Sequence, residues 1–513
     1  MTETFQLLRE AFAEICDLQS ASAVLQWDQE TYMPPGGCNA RAEAVAAVEK
    51  AAHARLVSDD LARLLDQAER WAQAQGPDSF AFTFTRAARR EQERARKLAP
   101  QLVTELAKAT ALASEAWRAA RHNSDFPAFA PHLERVMALS RRKAEALAVG
   151  KRPYDSLLDL YEPDARTTEL EDVFRALRQG LVPLVREIMA RRDEVSDAVL
   201  HIPCDENLQV KLCREVTKHL GYDFERGRQD LSTHPFTTSF SVNDVRITTR
   251  TLKDYWPAGL YGAIHECGHA LYAQGIAPEL DRTPLNGGAS LGVDESQSRL
   301  WENLVARSRP FCTWILRSLR ERFPDQFSRC QAEELYRAVN KSGPSLIRVE
   351  ADEVTYNLHV LLRFELEAEL VEGRLRVAEA PAAWNAKMAE YLGVRPPDDA
   401  QGILQDIHWS AGLIGYFPTY ALGNIMSAQF FAQARHDLPG LDGTIRNGDF
   451  AVLRGWLKDK IHRHGRSYTA AELLKKVTGR ALDAEPFLDY LRAKYSELYG
   501  FKAAGPAAAR PAR

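Results

Sequence analysis

The 513 residues are 45% hydrophobic and 27% charged, with a formal net charge of −4. That is enough apolar content for a large core, with no basic excess to draw a nucleic acid or a membrane surface. No run of about 18 apolar residues occurs, so a membrane-spanning helix is not expected.

The N-terminal stretch MTETFQLLREAFAEICDLQS sets acids inside an apolar periodicity and reads as a folded helix, not a signal peptide. Seven cysteines, at positions 16, 38, 204, 213, 267, 312 and 330, are odd in number and scattered, with no Cys-x-x-Cys pair. A reducing cytoplasm fits them better than a disulfide framework. The arginine-rich TRAARREQERARKLAP (85–100) reads as a solvated helix face laced with ion pairs. Apolar residues recur every three or four positions in LVTELAKATALASEAWRAAR (102–121), LEDVFRALRQGLVPLVREIMARR (170–192) and LHVLLRFELEAELVEG (358–373), which predicts helices. Clusters of Pro, Gly and Asp interrupt the pattern at 74–79, 160–167, 276–288 and 394–402, none of them long enough for a flexible linker. The expectation is a mainly α body: one domain over 1–502 with an N-terminal helical subdomain over roughly 1–160, then a disordered tail at 503–513.

One segment departs from the helical rhythm. HPFTTSFSVNDVRITTR (234–250) alternates β-branched or aromatic residues with polar ones, predicting a short hairpin around Asn243-Asp244. An exposed strand edge there would pair with an extended peptide backbone without reading its side chains, and Arg246 on the second strand is a candidate substrate contact.

Next comes IHECGHALYAQG (264–275). At about 100° per residue, His265 and His269 share one helix face and can offer two imidazoles to a single ion. Glu266, one step round, is placed to contact a water and not to join as a ligand, the division of labour in His-Glu-x-x-His peptidases. Cys267 lies on the far side and reads as a small packing residue. Gly268 is a poor helix former, so a close approach by another backbone or by substrate is expected there. A catalytic zinc usually takes three protein ligands. The third candidate is Glu295 in LGVDESQSRLWENLV, with the adjacent Asp294 an open alternative on physical grounds. Asp294 also fits a helix N-cap, with Gln297 completing a capping box.

Taken together, HPFT (234–237), DVRIT (244–248), HECGH (265–269), ESQSRLWEN (295–303), IRVEAD (347–352) and HWSAGLIGYFPTYALGN (408–424) resemble the carboxypeptidase Taq family of metallocarboxypeptidases. The early WDQETYMPPGG (27–37) is similar to that family too, so the resemblance spans nearly the whole chain. It implies a mostly helical fold with a deep active-site groove, a metal at its base and a homodimer. It also implies removal of C-terminal residues from peptides with broad side-chain tolerance. Carried over by position, His265, His269 and Glu295 would be the ligands and Glu266 the base. Arg348 and Tyr420 would sit at the substrate's C-terminal carboxylate, which a planar guanidinium holds bidentately. His408 or Tyr420 would donate to the developing oxyanion. The family commonly has histidine where this chain has Asp294, which bears on metal affinity. Two imidazoles and a carboxylate suit zinc first, with cobalt and manganese also fitting. The competing readings are an oligopeptidase or dipeptidyl carboxypeptidase of similar fold, and a non-catalytic peptide-binding protein.

Overall fold

The three long periodic segments form the helices Pro100–Asn123, Thr167–Met189 and Tyr356–Val371, and the N-terminal stretch forms Glu3–Thr31. The computed structural model describes residues 2–502; the tail expected at 503–513 lies outside the described residues. Helix dominates throughout, as the fold class expected from periodicity requires. Among the described residues no helix is long and apolar enough to cross a membrane, and all seven cysteines are free.

The chain divides into two units, each assembled from separated stretches. The first joins the residues up to Lys97, Ala198–Tyr336 and Gln433–Gly479; the second joins Leu98–Asp197, Arg337–Ala432 and the chain from Arg480.

In the first unit the N-terminal helix is capped by Thr2, whose side chain accepts from Phe5 N–H. It buries the stripe Phe5, Leu8, Phe12 and Ile15. Phe5 and Phe12 both meet the Phe84 ring edge-on, at 5.3 and 5.6 Å between centroids. The arginine-rich helix Phe80–Lys97 is tied by surface ion pairs such as Arg89 with Asp66 and Glu69, which is the solvated face expected.

The hairpin forms, with strands β2 (Thr237–Ser241) and β3 (Asp244–Thr249) antiparallel. Its turn is Val242-Asn243, one residue earlier than the Asn243-Asp244 expected. The Asp281 carboxylate accounts for this by accepting from the Ser241 hydroxyl at 2.6 Å and from Val242 N–H at 3.3 Å. A further strand, β1 (Gln229–Leu231), pairs parallel with β3, so β3 is central in the order β1-β3-β2. Val245 and Ile247 of β3 are fully buried. They face the helix Pro257–Gly275, hereafter the histidine helix, which is enclosed by protein on nearly all sides.

In the second unit the helix Tyr356–Val371 is the central element. Its apolar residues are buried, and so are Asn357, His359, Arg363 and Glu367. Glu367 accepts from the Tyr154 hydroxyl at 2.6 Å, Gly415 N–H at 2.9 Å and Trp409 Nε1 at 2.9 Å. Burial raises its pKa to about 7 despite those donors. The folded chain therefore holds a proton that the unfolded chain releases near 4.5, and Glu367 subtracts stability as pH rises from about 4.5 to 7. Buried His408 and His462, lowered to about 4 and about 3, act in the opposite direction over part of that window. The expected result is that the wild-type minus Glu367→Gln stability difference falls by about 3 kcal/mol across it. Denaturant titrations at several pH values measure this; a pH-independent difference would refute it.

Candidate metal centre

Pro257 opens the histidine helix in its first turn, where its missing N–H costs nothing. One turn apart on this helix, the His265 and His269 rings stand 5.1 Å apart between centroids. Their Nε2 atoms converge on one oxygen, Glu295 Oε2, at 3.7 and 3.5 Å. Three donor atoms from these residues lie within 4.8 Å of one another. Two imidazole nitrogens and a carboxylate at that spacing form a donor set that fits a divalent cation.

The far sides of both rings meet acids. Glu302 Oε2 lies 2.9 Å from His265 Nδ1. Asp294 Oδ2 lies 3.3 Å from His269 Nδ1, within reach of its charge but off the line of a formed hydrogen bond. Such partners fix ring orientation and leave Nε2 for the centre. Asp294 is not the helix cap expected. Ser290 caps the helix Leu291–Arg299, its side chain accepting from Val293 N–H, and Gln297 instead meets His462 Nε2 at 2.9 Å. The local Asp-x-x-Gln pattern matched a capping box by coincidence. Glu302 belongs to a π-helical turn, Leu300–Val305, that continues this helix.

Glu295 is buried and accepts from Arg299 Nε at 2.7 Å and from the Ser298 hydroxyl at 3.2 Å. Burial alone would raise its pKa; Arg299, then the two histidines, outweigh that and hold it below the usual carboxylate range. Glu302 follows the same pattern, with burial overcome by Arg299, His265 and Arg307, and falls to about 2. His269 is held well above its usual value because Asp294, Glu295 and Glu266 outweigh its burial. Glu266 is buried beside them, and the Thr237 hydroxyl at the start of β2 lies 2.6 Å from its Oε2. The sheet thus orients the side chain that follows the first histidine.

Gly268 explains how the two helices approach. A Cβ there would stand 2.6 Å from Ser298 Cα and 2.7 Å from the Gln297 carbonyl oxygen. The close neighbour is therefore backbone of the helix carrying Glu295, and that backbone has no flexible side chain to move aside. Gly268→Ala gains about 1 kcal/mol of helix propensity but overpacks the contact at a cost of about 1–3 kcal/mol. A net loss of stability, read by thermal unfolding together with weakened metal retention, is the expected outcome; a stabilised variant would contradict it. Cys267 is fully buried and burial pushes its thiol up, as a packing residue should be.

The second unit holds a cationic cluster. Arg348 Nε and a terminal nitrogen both donate to Asp406 Oδ1, at 3.1 and 2.8 Å, and its other terminal nitrogen donates to the Tyr356 hydroxyl at 2.8 Å. Arg363 Nε donates to Asp406 Oδ2 at 2.7 Å. Burial pulls the Asp406 pKa up, but the two guanidinia hold it far below its usual value. His408 Nε2 lies 3.2 Å from the Tyr420 hydroxyl, and the Arg348 guanidinium lies 5.0 Å from the centre of the Tyr420 ring. With His408 neutral near pH 7, two arginines against one aspartate leave an excess positive charge, suited to an anion.

The sequence profile described as carboxypeptidase Taq (M32) metallopeptidase matches residues 7–495. The chain belongs to that family. It is 42% identical to thermostable carboxypeptidase 1 of Thermus thermophilus over 505 residues, covering 97% of this chain and 99% of the relative. It is 36% identical to carboxypeptidase 1 of Bacillus subtilis over 498 residues, covering 97% and 98%. The crystal structure of the M32 carboxypeptidase from Deinococcus radiodurans R1 superposes with a TM-score of 0.94 at 40% identity, covering 97% of this chain and all of that one.

Within this M32 metallocarboxypeptidase, His265, Glu266, His269 and Glu295 come together in the first unit, while Arg348, His408 and Tyr420 come together in the second. Arg246 is chelated by Asp244 at 2.9 and 2.8 Å and lies over the Trp27 and Phe240 rings. Sequence reasoning assigned no role to Thr237, Glu302, Asp406 or Arg363. Thr237 and Glu302 lay inside motifs already noted, HPFT and ESQSRLWEN, but a hydroxyl and an acid there carry no spacing rule of their own.

Proposed function

We propose that this chain releases single C-terminal residues from peptides of varied sequence by metal-assisted hydrolysis. His265, His269 and Glu295 are the ligands and Glu266 is the general base. The observation that carries the reading is the convergence of both Nε2 atoms on Glu295, each ring backed by an acid. A divalent ion bound there, zinc by the donor chemistry with cobalt or manganese also accommodated, supplies Lewis acidity and a more acidic water. Glu266 takes a proton from the attacking water and delivers it to the departing amine. Its bond from Thr237 keeps one carboxylate oxygen fixed and frees the other for that transfer.

Arg348 receives the substrate's free carboxylate. Asp406 and Tyr356 lock its guanidinium in place, so little side-chain entropy is lost on binding. Tyr420 adds a hydroxyl donor, and neutral His408 sets that hydroxyl's orientation. In this reading Arg246 contributes through the sheet, where its clasp on Asp244 and Trp27 stiffens the strands that align the peptide backbone. The free cysteines support a reducing, cytoplasmic location. A homodimer, implied by the family resemblance, completes the proposal and is checked by sedimentation.

One peptide offered with a free and with an amidated C-terminus provides the test. The amidated form should lose about 1.5–3 kcal/mol of transition-state binding, roughly 10–150-fold in kcat/KM. Arg348→Ala should erase that discrimination by slowing the free peptide. Equal cleavage of both forms at the terminal bond overturns the carboxylate anchor. Dipeptides or internal fragments among the products, read by mass, overturn single-residue release and favour a dipeptidyl carboxypeptidase or oligopeptidase. Loss of all turnover from a metal-loaded protein favours the peptide binder.

A further inference from the structure

A cavity of about 740 Å³ in the first unit opens beside the last turn of the histidine helix, where Leu271, Gln274 and Gly275 line it. Its walls carry five cations, Arg214, Lys218, Arg226, Arg454 and Lys458, against two carboxylates, Asp223 and Glu225. Arg226 is committed to Asp223 at 2.8 Å. The remaining four cations have no carboxylate partner among the described residues.

Two of these cations are already ordered. The Arg214 guanidinium lies 4.1 Å from the centre of the Phe224 ring. Arg454 donates to the Gly221 carbonyl at 3.0 Å, and it packs so closely that a Cβ on Gly221 (φ +103°) would overlap its guanidinium. At the floor His462 is buried, with Nε2 bonded to Gln297 and Nδ1 without a hydrogen-bond partner.

We propose that this cavity binds a small phosphate-bearing anion. Ordered guanidinia pair with phosphate oxygens bidentately, and the flanking lysines add point charge. The volume lies within the range of small-molecule sites and exceeds what one inorganic phosphate fills, so an organic phosphate ester is the fitting class. Nothing in the peptide hydrolysis described above calls on these residues.

Calorimetric titration of the metal-loaded protein with adenosine monophosphate and, separately, with inorganic phosphate tests this, with sulfate at matched ionic strength as control. We expect a single site for the ester, weakened about tenfold or more in a Lys218→Glu, Lys458→Glu double variant. Both lysines are exposed, so metal content, thermal stability without ligand and peptide turnover should stay at wild-type values. Tighter binding of adenosine monophosphate than of phosphate identifies an ester site; equal binding identifies a free-phosphate site. Binding that survives the double substitution, an equal response to sulfate, or no binding by either phosphate at about 10 mM would overturn the proposal. Arg214→Ala, on an exposed residue, is the second variant and should weaken binding in the same way.

Discussion

Glu266→Gln is expected to keep its metal and lose about 10²–10⁴-fold in kcat. The amide is nearly isosteric and still accepts the Thr237 hydroxyl, so the local structure stays. What disappears is the ability to take a proton from water. Because Glu266 is not among the three converging donors, metal content measured by elemental analysis should match the wild type. The two measurements belong together: lost turnover with lost metal would instead make Glu266 structurally necessary to the centre. Retained turnover would remove it as the base.

Glu295→Ala is the complementary case and should abolish retention of the metal. The substitution leaves two imidazoles, one short of the usual protein ligand set, and it removes the oxygen on which both Nε2 atoms converge. Arg299 is not stranded, because Glu302 still accepts from it at 3.2 Å, so the fold should survive. A wild-type protein holding metal at about 100 times its dissociation constant gains about 2.7 kcal/mol of stability. Thermal unfolding with and without added zinc should show that gain in the wild type and none in Glu295→Ala. A variant that purifies with a full complement of metal would exclude Glu295 from the ligand set.

How far the sequence could be read follows from what each residue pattern encodes. Helices such as Tyr356–Val371 were legible because apolar side chains must recur on one face to be buried. The pairing of His265 with His269 was legible because four residues make nearly one turn, and Gly268 announced a near neighbour by being costly in mid-helix. The strand Gln229–Leu231 was not legible. It is three residues long and none of them is buried, so it offers no alternation to detect. Its pairing with β3 depends on partners eighteen positions away, as in Gln229 with Ile247. The cap was misassigned because Asp294-x-x-Gln297 fits the full capping-box template, whereas Ser290, with Val293 three residues on, satisfies only its N-cap half, and tertiary contacts with His269 and His462 draw Asp294 and Gln297 elsewhere. The division into two units was hidden for another reason. Helices such as Pro418–Asp437 run straight through a boundary, leaving no change in composition to mark it.

The widened turn at Leu300–Val305 has a genetic consequence. A π-helical turn carries an extra residue relative to the α-helix around it, and Glu302, which braces His265, sits within it. The widened turn absorbs that residue locally, so removing one would restore ordinary winding with the flanking faces nearly in register, and Glu302 would lose its place against His265. Leu300, Trp301, Asn303, Leu304 and Val305 are buried around Glu302, so neither the side chains of this stretch nor its residue count can drift. Insertions and deletions should therefore be purged here even though the helix on either side would keep its register.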